Sequence, residues 1–316
     1  MSNWTYTHGL HDLGNAAYAY LQPNGSWGWS NAGIIVDGET SLLVDTLYDL
    51  ALTGEMLATM RRSLPAAAQI DMLVNTHANG DHCYGNQLVG DARIIASAHT
   101  AEEMLEVSPA SMAALKKQAP HLGTLGAFFE RAFAPFDFEG ITPVLPNSTF
   151  EGHLDLHVGA KEVRLLEVGP AHTRGDTLVY VPGDKVIFTG DILFIEGHPI
   201  MWAGPVGNWI RACETILSLD VETIVPGHGP ITDKQGVVRL KEYWEYLLGE
   251  VRQRHKAGLS AQEAARDIPL DAYAAWSDPE RVVVNVASIY RELNGEQEHP
   301  GALSLFALMA EYALQT

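Results

Sequence analysis

Residues 73–86 read LVNTHANGDHCYGN. The apolar pair Leu73 and Val74 gives way to four side chains that can approach a cation: His77, Asn79, Asp81 and His82. A short apolar run that stops at a polar cluster is the pattern of a buried strand whose carboxyl end opens on a site. Here QIDMLVNTH (69–77) supplies the strand. Before it, LALTGEMLATMRRSL (50–64) spaces Leu50, Leu52, Met56, Leu57 and Met60 along one helical face. Within the cluster one residue is out of place: Asn79 offers a neutral amide where an imidazole would hold a metal far better.

Moving outward, AAYAYLQP (16–23), NGSWGWSN (24–31) and AGIIVDGETSLLVDT (32–46) read as short strands, with Asp37-Gly38 as a hairpin turn. Downstream, LDLHVGAKEVRLLEVG (154–169), TLVYVPGDKVIFTGD (177–191) and TIVPGHG (223–229) form a second set of strands. The last two run into Asp191 and His228, while GNWIRACETILSLD (207–220) is helical in pattern. Between the two sets, residues 101–140 read as a helical insertion or lid. Its Phe128, Phe129, Phe133, Phe136 and Phe138 either pack as core or line a pocket for an apolar substrate. Residues 232–316 read as a helical extension, with a first helix ended by Gly258 and Ser260 as the N-cap of the next. These elements predict an α/β fold in a single domain, 1–316.

The composition narrows the partners. With 39 acidic against 20 basic residues the 316-residue chain carries a formal charge of −19, which argues against a nucleic-acid partner. No apolar run reaches the roughly 18 to 20 residues needed to cross a bilayer, and no export leader is expected at the amino terminus. Cys83 and Cys213 are the only cysteines, so no disulfide framework is indicated and a cytoplasmic location is expected. Cys83 is expected as a buried filler. His8, His11, His99, His121, His153, His157, His198, His255 and His299 lie outside the polar clusters and are expected to be surface or packed residues. The oligomeric state, a homodimer included, is left open.

Collected from strand ends and Gly-rich turns, the ligand-capable groups are His77, Asn79, Asp81, His82, His172, Asp191 and His228. Imidazoles and carboxylates in these numbers are enough to fix a divalent metal, and zinc with an open position lowers the pKa of its water to about 7. The order His77-x-Asn79-x-Asp81-His82, a single His172, Gly190-Asp191, then Gly227-His228-Gly229, preceded by LLVDT with Asp45, resembles the signature of the metallo-β-lactamase superfamily. The resemblance runs from about Trp29 to Pro230 and departs from the pattern at Asn79, where the family has histidine.

The resemblance implies an αβ/βα four-layer sandwich with an active site at one edge between the halves. It implies a first metal site from His77, the residue at 79 and His172, a second from Asp81, His82 and His228, and Asp191 as the bridge. Because Asn79 weakens the first site, one ion is expected on Asp81, His82, Asp191 and His228. Zinc is expected, with manganese or iron as alternatives. His77 and His172 then serve as weak ligands or as hydrogen-bonding and acid–base groups, Asp81 orients water, and Asp45 holds a ligand histidine from behind.

The reaction so implied is attack of metal-bound hydroxide on an ester, thioester, lactone or amide of a small aromatic or apolar molecule. A looser resemblance to aromatic polyketide cyclases with thioesterase activity, and to hydrolytic dehalogenases, supplies the alternatives. A non-catalytic binding protein on the same fold is the competing class. It is disfavoured because burying carboxylates and imidazoles together without use is costly.

Overall fold

A computed structural model describes residues 4–296 and 300–313. His299 and the last residues of the expected helical extension lie outside this range. Seven strands form one sheet in sequence order: β1 (Gly9–Gly14), β2 (Ala17–Leu21), β3 (Ala32–Asp37), β4 (Thr40–Val44), β5 (Met72–Val74), β6 (Arg93–Ser97) and β7 (Ser148–Phe150). Pairing is antiparallel through β4 and parallel beyond it. A second sheet runs β12-β11-β10-β9-β8, from β8 (His153–Val158), β9 (Lys161–Glu167), β10 (Thr177–Val181), β11 (Val186–Phe188) and β12 (Thr223–Val225). The helices are α1 (Leu50–Ser63), α2 (Gly80–Cys83), α3 (Ala98–Glu103), α4 (Pro109–Gln118), α5 (Gly123–Phe133), α6 (Val206–Ser218), α7 (Lys234–Lys256), α8 (Ala261–Asp267), α9 (Arg281–Asn294) and α10 (Ala302–Ala313).

The central strands are apolar on both sides because both sides are covered. Ile35, Leu42, Val44, Val74 and Ile95 point from the large sheet to a shared core with Val179, Val181, Val186, Phe188 and Val225 of the small one. Their neighbours Ile34, Leu43, Leu73 and Ile94 face the other way and pack on Met56, Leu57 and Met60 of α1. On the far side Leu178, Ile187 and Ile224 meet Trp209, Ile216, Trp244 and Leu247 of α6 and α7. Alternation with period two thus builds helix, sheet, sheet, helix in four layers, the architecture that the family resemblance implies.

The insertion is helical, as α3 to α5, and all five of its phenylalanines are buried. Asp49 caps α1, and Ser260 caps α8 in a box with Glu263. The expected hairpin forms with Gly38 and Glu39 as its loop, Asp37 pairing with Thr40. NGSWGWSN is not a strand. Its Gly25 and Gly28 take φ of +77° and +73°, which breaks a ladder, and its Trp27 and Trp29 rings pack on Phe133 and Phe136 instead. Strands β1, β6 and β7 were not foreseen.

Candidate metal centre

The seven ligand-capable groups come from four connections at one end of the sandwich. His77, Asn79, Asp81 and His82 follow β5 into α2, His172 lies between β9 and β10, Asp191 follows β11, and His228 follows β12. Gly227 must be glycine for the last two to meet: a Cβ there would lie 2.0 Å from Asp191 Oδ1. Gly190, beside Asp191, takes φ of +49°.

Each imidazole is held from behind by its Nδ1 and points Nε2 inward. His82 Nδ1 lies 2.9 Å from Asp45 Oδ2, His172 Nδ1 2.7 Å from Ile200 O, His228 Nδ1 3.1 Å from Gly25 O, and His77 Nδ1 3.0 Å from Thr76 Oγ1. The Thr76 hydroxyl itself donates to Asp45 Oδ2 at 2.7 Å, so it accepts from His77. Asp45 therefore serves two of the inward-pointing histidines, from a left-handed backbone with φ of +61° that a short polar side chain tolerates.

Around Asp191 the Nε2 atoms of His82, His172, His228 and His77 lie at 3.1, 3.3, 3.4 and 3.7 Å. Asp81 Oδ2 is 3.3 Å from His228 Nε2 and 3.9 Å from His82 Nε2. His77 Nε2, His82 Nε2 and Asp191 Oδ1 are buried without a hydrogen bond, since the short His82–Asp191 approach is misaligned for one. Two overlapping triads, His77–His82–Asp191 and Asp81–His82–His228, bring their donor atoms within 4.8 Å of one another. Orphaned inward-facing donors of nitrogen and oxygen type fit a divalent cation.

The charges agree. Burial opposes the Asp191 carboxylate, yet the imidazoles of His228, His82, His77 and His172 hold it well below the usual range. Asp81 is lowered against burial by His82 and His228. Burial drives His77 well down and His172 down to about 4. Burial also opposes protonation of His82 and His228. In both, the acids win: Asp191, Asp81 and Asp45 push His82 well up, and Asp191 and Asp81 push His228 to about 9. A cation would replace those protons.

Asn79 Oδ1 lies 2.7 Å from His172 Nε2. A neutral imidazole has one N–H, and His172 gives it to Ile200 O, so Nε2 is a lone pair. The amide meets it as a donor, presenting Nδ2 after a half-turn about Cβ–Cγ.

The cluster floors a cavity of about 570 Å³. Its apolar walls include Trp27, Tyr48, Tyr84, Phe133, Trp202 and Phe306. Of the insertion's phenylalanines only Phe133 is among them, and Trp29 is not. Tyr48, Phe194, Arg281 and Phe306 escaped sequence reading because they come from separate elements and carry no local signature. Cys83 is a buried filler whose thiol is pushed up by burial, with Asp81 adding. His153 and His157 are exposed on β8, and His198 is buried.

Comparison with known proteins agrees with this fold. The Metallo-beta-lactamase superfamily model matches residues 25–228. The alpha subunit of 2,4-dinitroanisole O-demethylase from Nocardioides sp. is 21% identical over 259 residues, covering 78% of this chain and 66% of that protein. An acyl-coenzyme A thioesterase of Gallus gallus is 23% identical over 136 residues, covering 41% of this chain and 47% of that one. The chain thus spans between about half and two thirds of the length of these relatives. Among solved structures, the stereoselective inverting sec-alkylsulfatase from Pseudomonas sp. shares the fold at a TM-score of 0.67 and 15% identity, over 90% of this chain and 50% of that chain. The family match covers more than half of the sequence, and the chain belongs to the metallo-beta-lactamase superfamily, whose members are hydrolytic enzymes.

Proposed function

We propose that the protein is a metal-dependent hydrolase acting on an ester or thioester of a small, aromatic or apolar molecule. The carrying observation is the convergence of Nδ1-anchored imidazoles and two carboxylates at the floor of an aromatic-walled cavity. Asp81, His82, Asp191 and His228 would hold one ion, with His77 beside it. When bound, a divalent cation there supplies Lewis acidity and brings the pKa of water near neutrality.

The chain's own residues do the rest. The Asp81 carboxylate, 13% exposed on the cavity floor, accepts a hydrogen bond from attacking water and fixes its direction. Asn79 and His172 form a neutral hydrogen-bonded pair at the adjoining wall, which positions the substrate's polar atom. The rings of Trp27, Phe133, Trp202 and Phe306 hold the apolar part and keep bulk water out. The thioesterase relative supports this class of substrate.

A second reading, hydrolytic removal of a substituent from an aromatic ring, is favoured by the likeness to the dinitroanisole demethylase subunit over 78% of the chain. Aryl esters, aryl thioesters and nitro-substituted anisoles, offered side by side, separate the two. Activity is expected to vanish with a chelator and return with zinc or manganese. Full activity in exhaustively metal-free protein overturns both readings.

A further inference from the structure

His228 stands at the end of a column of side chains that begins in the C-terminal helices, beyond the stretch matched by the family model. Its ring lies parallel to that of Phe194, with centroids 5.1 Å apart and planes within 1°. The two residues are also joined through the backbone by a parallel bridge, Ile195 N–H donating to His228 O at 3.0 Å. Against Phe194 lies the Arg281 guanidinium, its central carbon 5.3 Å from that ring and 4.2 Å from the Trp27 ring.

Arg281 is itself held. Nη1 donates to His198 O at 2.9 Å, Nη2 lies 3.3 Å from Asp278 Oδ2, and Nε is buried without a partner. Asp278 accepts from Ser26 Oγ at 2.6 Å, and Ser26 is next to Gly25, whose carbonyl holds His228 Nδ1. The contacts close into a ring: Arg281, Asp278, Ser26, Gly25, His228, Phe194 and back to Arg281.

We propose that Arg281 is a positioning residue for His228, fixing the plane of its imidazole through Phe194 and through the loop that carries Gly25. The inference rests on the reading of His228 as a metal ligand. Two physical points favour it over simple packing. A buried cation with an unmade hydrogen bond is costly, and an apolar side chain of the same size would fill the space without that cost. Recognition of an anionic substrate group is a poor alternative, because the side chain is only 2% exposed and already faces a carboxylate. What the guanidinium adds is direction: it lies against two aromatic rings while its donors are pinned in a planar fork. An imidazole held on one edge by a carbonyl and on one face by a fixed ring has a single orientation, and its Nε2 meets Asp81 and Asp191.

The test uses cobalt(II) as probe on the full-length protein. Arg281→Met is expected to weaken cobalt retention against a chelator by about tenfold to a hundredfold and to shift the visible ligand-field bands. Arg281→Lys, which keeps the cation against the rings, is expected to recover most of both. Retention and spectrum of Arg281→Met equal to the unmutated protein overturn the proposal, even if its unfolding temperature falls. Should Arg281→Met fail to fold, Phe194→Leu interrupts the same column, and an unchanged cobalt spectrum there overturns it equally. Failure of the parent reading has a different signature: the unmutated protein takes up no cobalt at all.

Discussion

An asparagine amide differs from an imidazole in charge, basicity and the number of donors it can turn to one side. At position 79 the amide meets the His172 Nε2 lone pair, 2.7 Å away, and so occupies the electrons with which His172 would bind a first metal. The unmutated protein is therefore expected to retain about one tightly bound ion per chain, as measured by elemental analysis after dialysis. Asn79→His, which joins His77 and His172 in a set of three imidazoles, is expected to take up a second under the same conditions. Its native turnover is expected to fall, because the second cation displaces what Asn79 and His172 contact. Two tightly held ions in the unmutated protein would show the amide oxygen to be a working ligand. Position 79 could be singled out in sequence because its neighbours lie within six residues of it along one turn, so the departure stands beside the pattern it breaks.

Elements were legible where the chain itself carries their signature. Strand β5 runs straight into the ligand cluster, β10 to β12 are apolar runs bounded by glycines, and α1 and α8 have their caps written beside them. Strand β1 has no buried residue and β7 is only three residues long, so neither shows a periodicity to read. In NGSWGWSN, tryptophans two apart imitate a strand, and only the backbone turns at Gly25 and Gly28 reveal a loop. Helix α5 shows the same limit within one element. Phe129 and Phe133 share its buried face at the spacing of one turn, yet only Phe133 reaches the cavity. Phe133→Ala is expected to raise KM for a bulky aromatic ester several-fold more than for a small one. Phe129→Ala is expected to cost about 3–5 kcal/mol of stability and leave that ratio alone. Equal ratios in both variants, read from steady-state kinetics with a calorimetric control, would place both rings in the core. Which ring faces substrate depends on where α10 and the 22–31 loop pack, and no local pattern carries that.

At the scale of the whole molecule the site and the stability are linked through protons. In the cation-free fold His228 releases its proton near pH 9 rather than 6.5, because Asp191 and Asp81 outweigh the opposing effect of burial. Asp176, buried around the Thr173 turn next to His172, releases near pH 8 rather than 3.8 because burial disfavours its charge. Both folded values lie above the unfolded ones. The stability His228 contributes is complete below 6.5 and lost as pH rises through 9, and Asp176 takes stability away between 3.8 and 8. Asp191 and Asp81, held low, work the other way: their contribution is present above 3.8 and lost as pH falls below it. His77 and His172, held low by burial, take stability away as pH falls below 6.5, so chelated protein is expected to melt highest near pH 6.5 and to weaken as pH rises toward 9. Protein with metal at a hundredfold its Kd is expected to gain about 2.7 kcal/mol and to have its optimum moved upward, since a cation replaces the His228 proton. Identical pH profiles with and without metal, by thermal unfolding, would contradict this linkage. The two sheets end in the edge strands β1, β7, β8 and β12, the last already paired at Ile224 with Thr232, and an unpaired edge is where one chain recruits another into aggregates. Here β7 and β12 stop after three residues, β1 shifts register between Asp12 and Gly14, and β8 turns His153, Asp155 and His157 outward. Among the described residues, a sandwich with so much apolar surface sealed inside therefore presents no long flat border on which foreign strands could template.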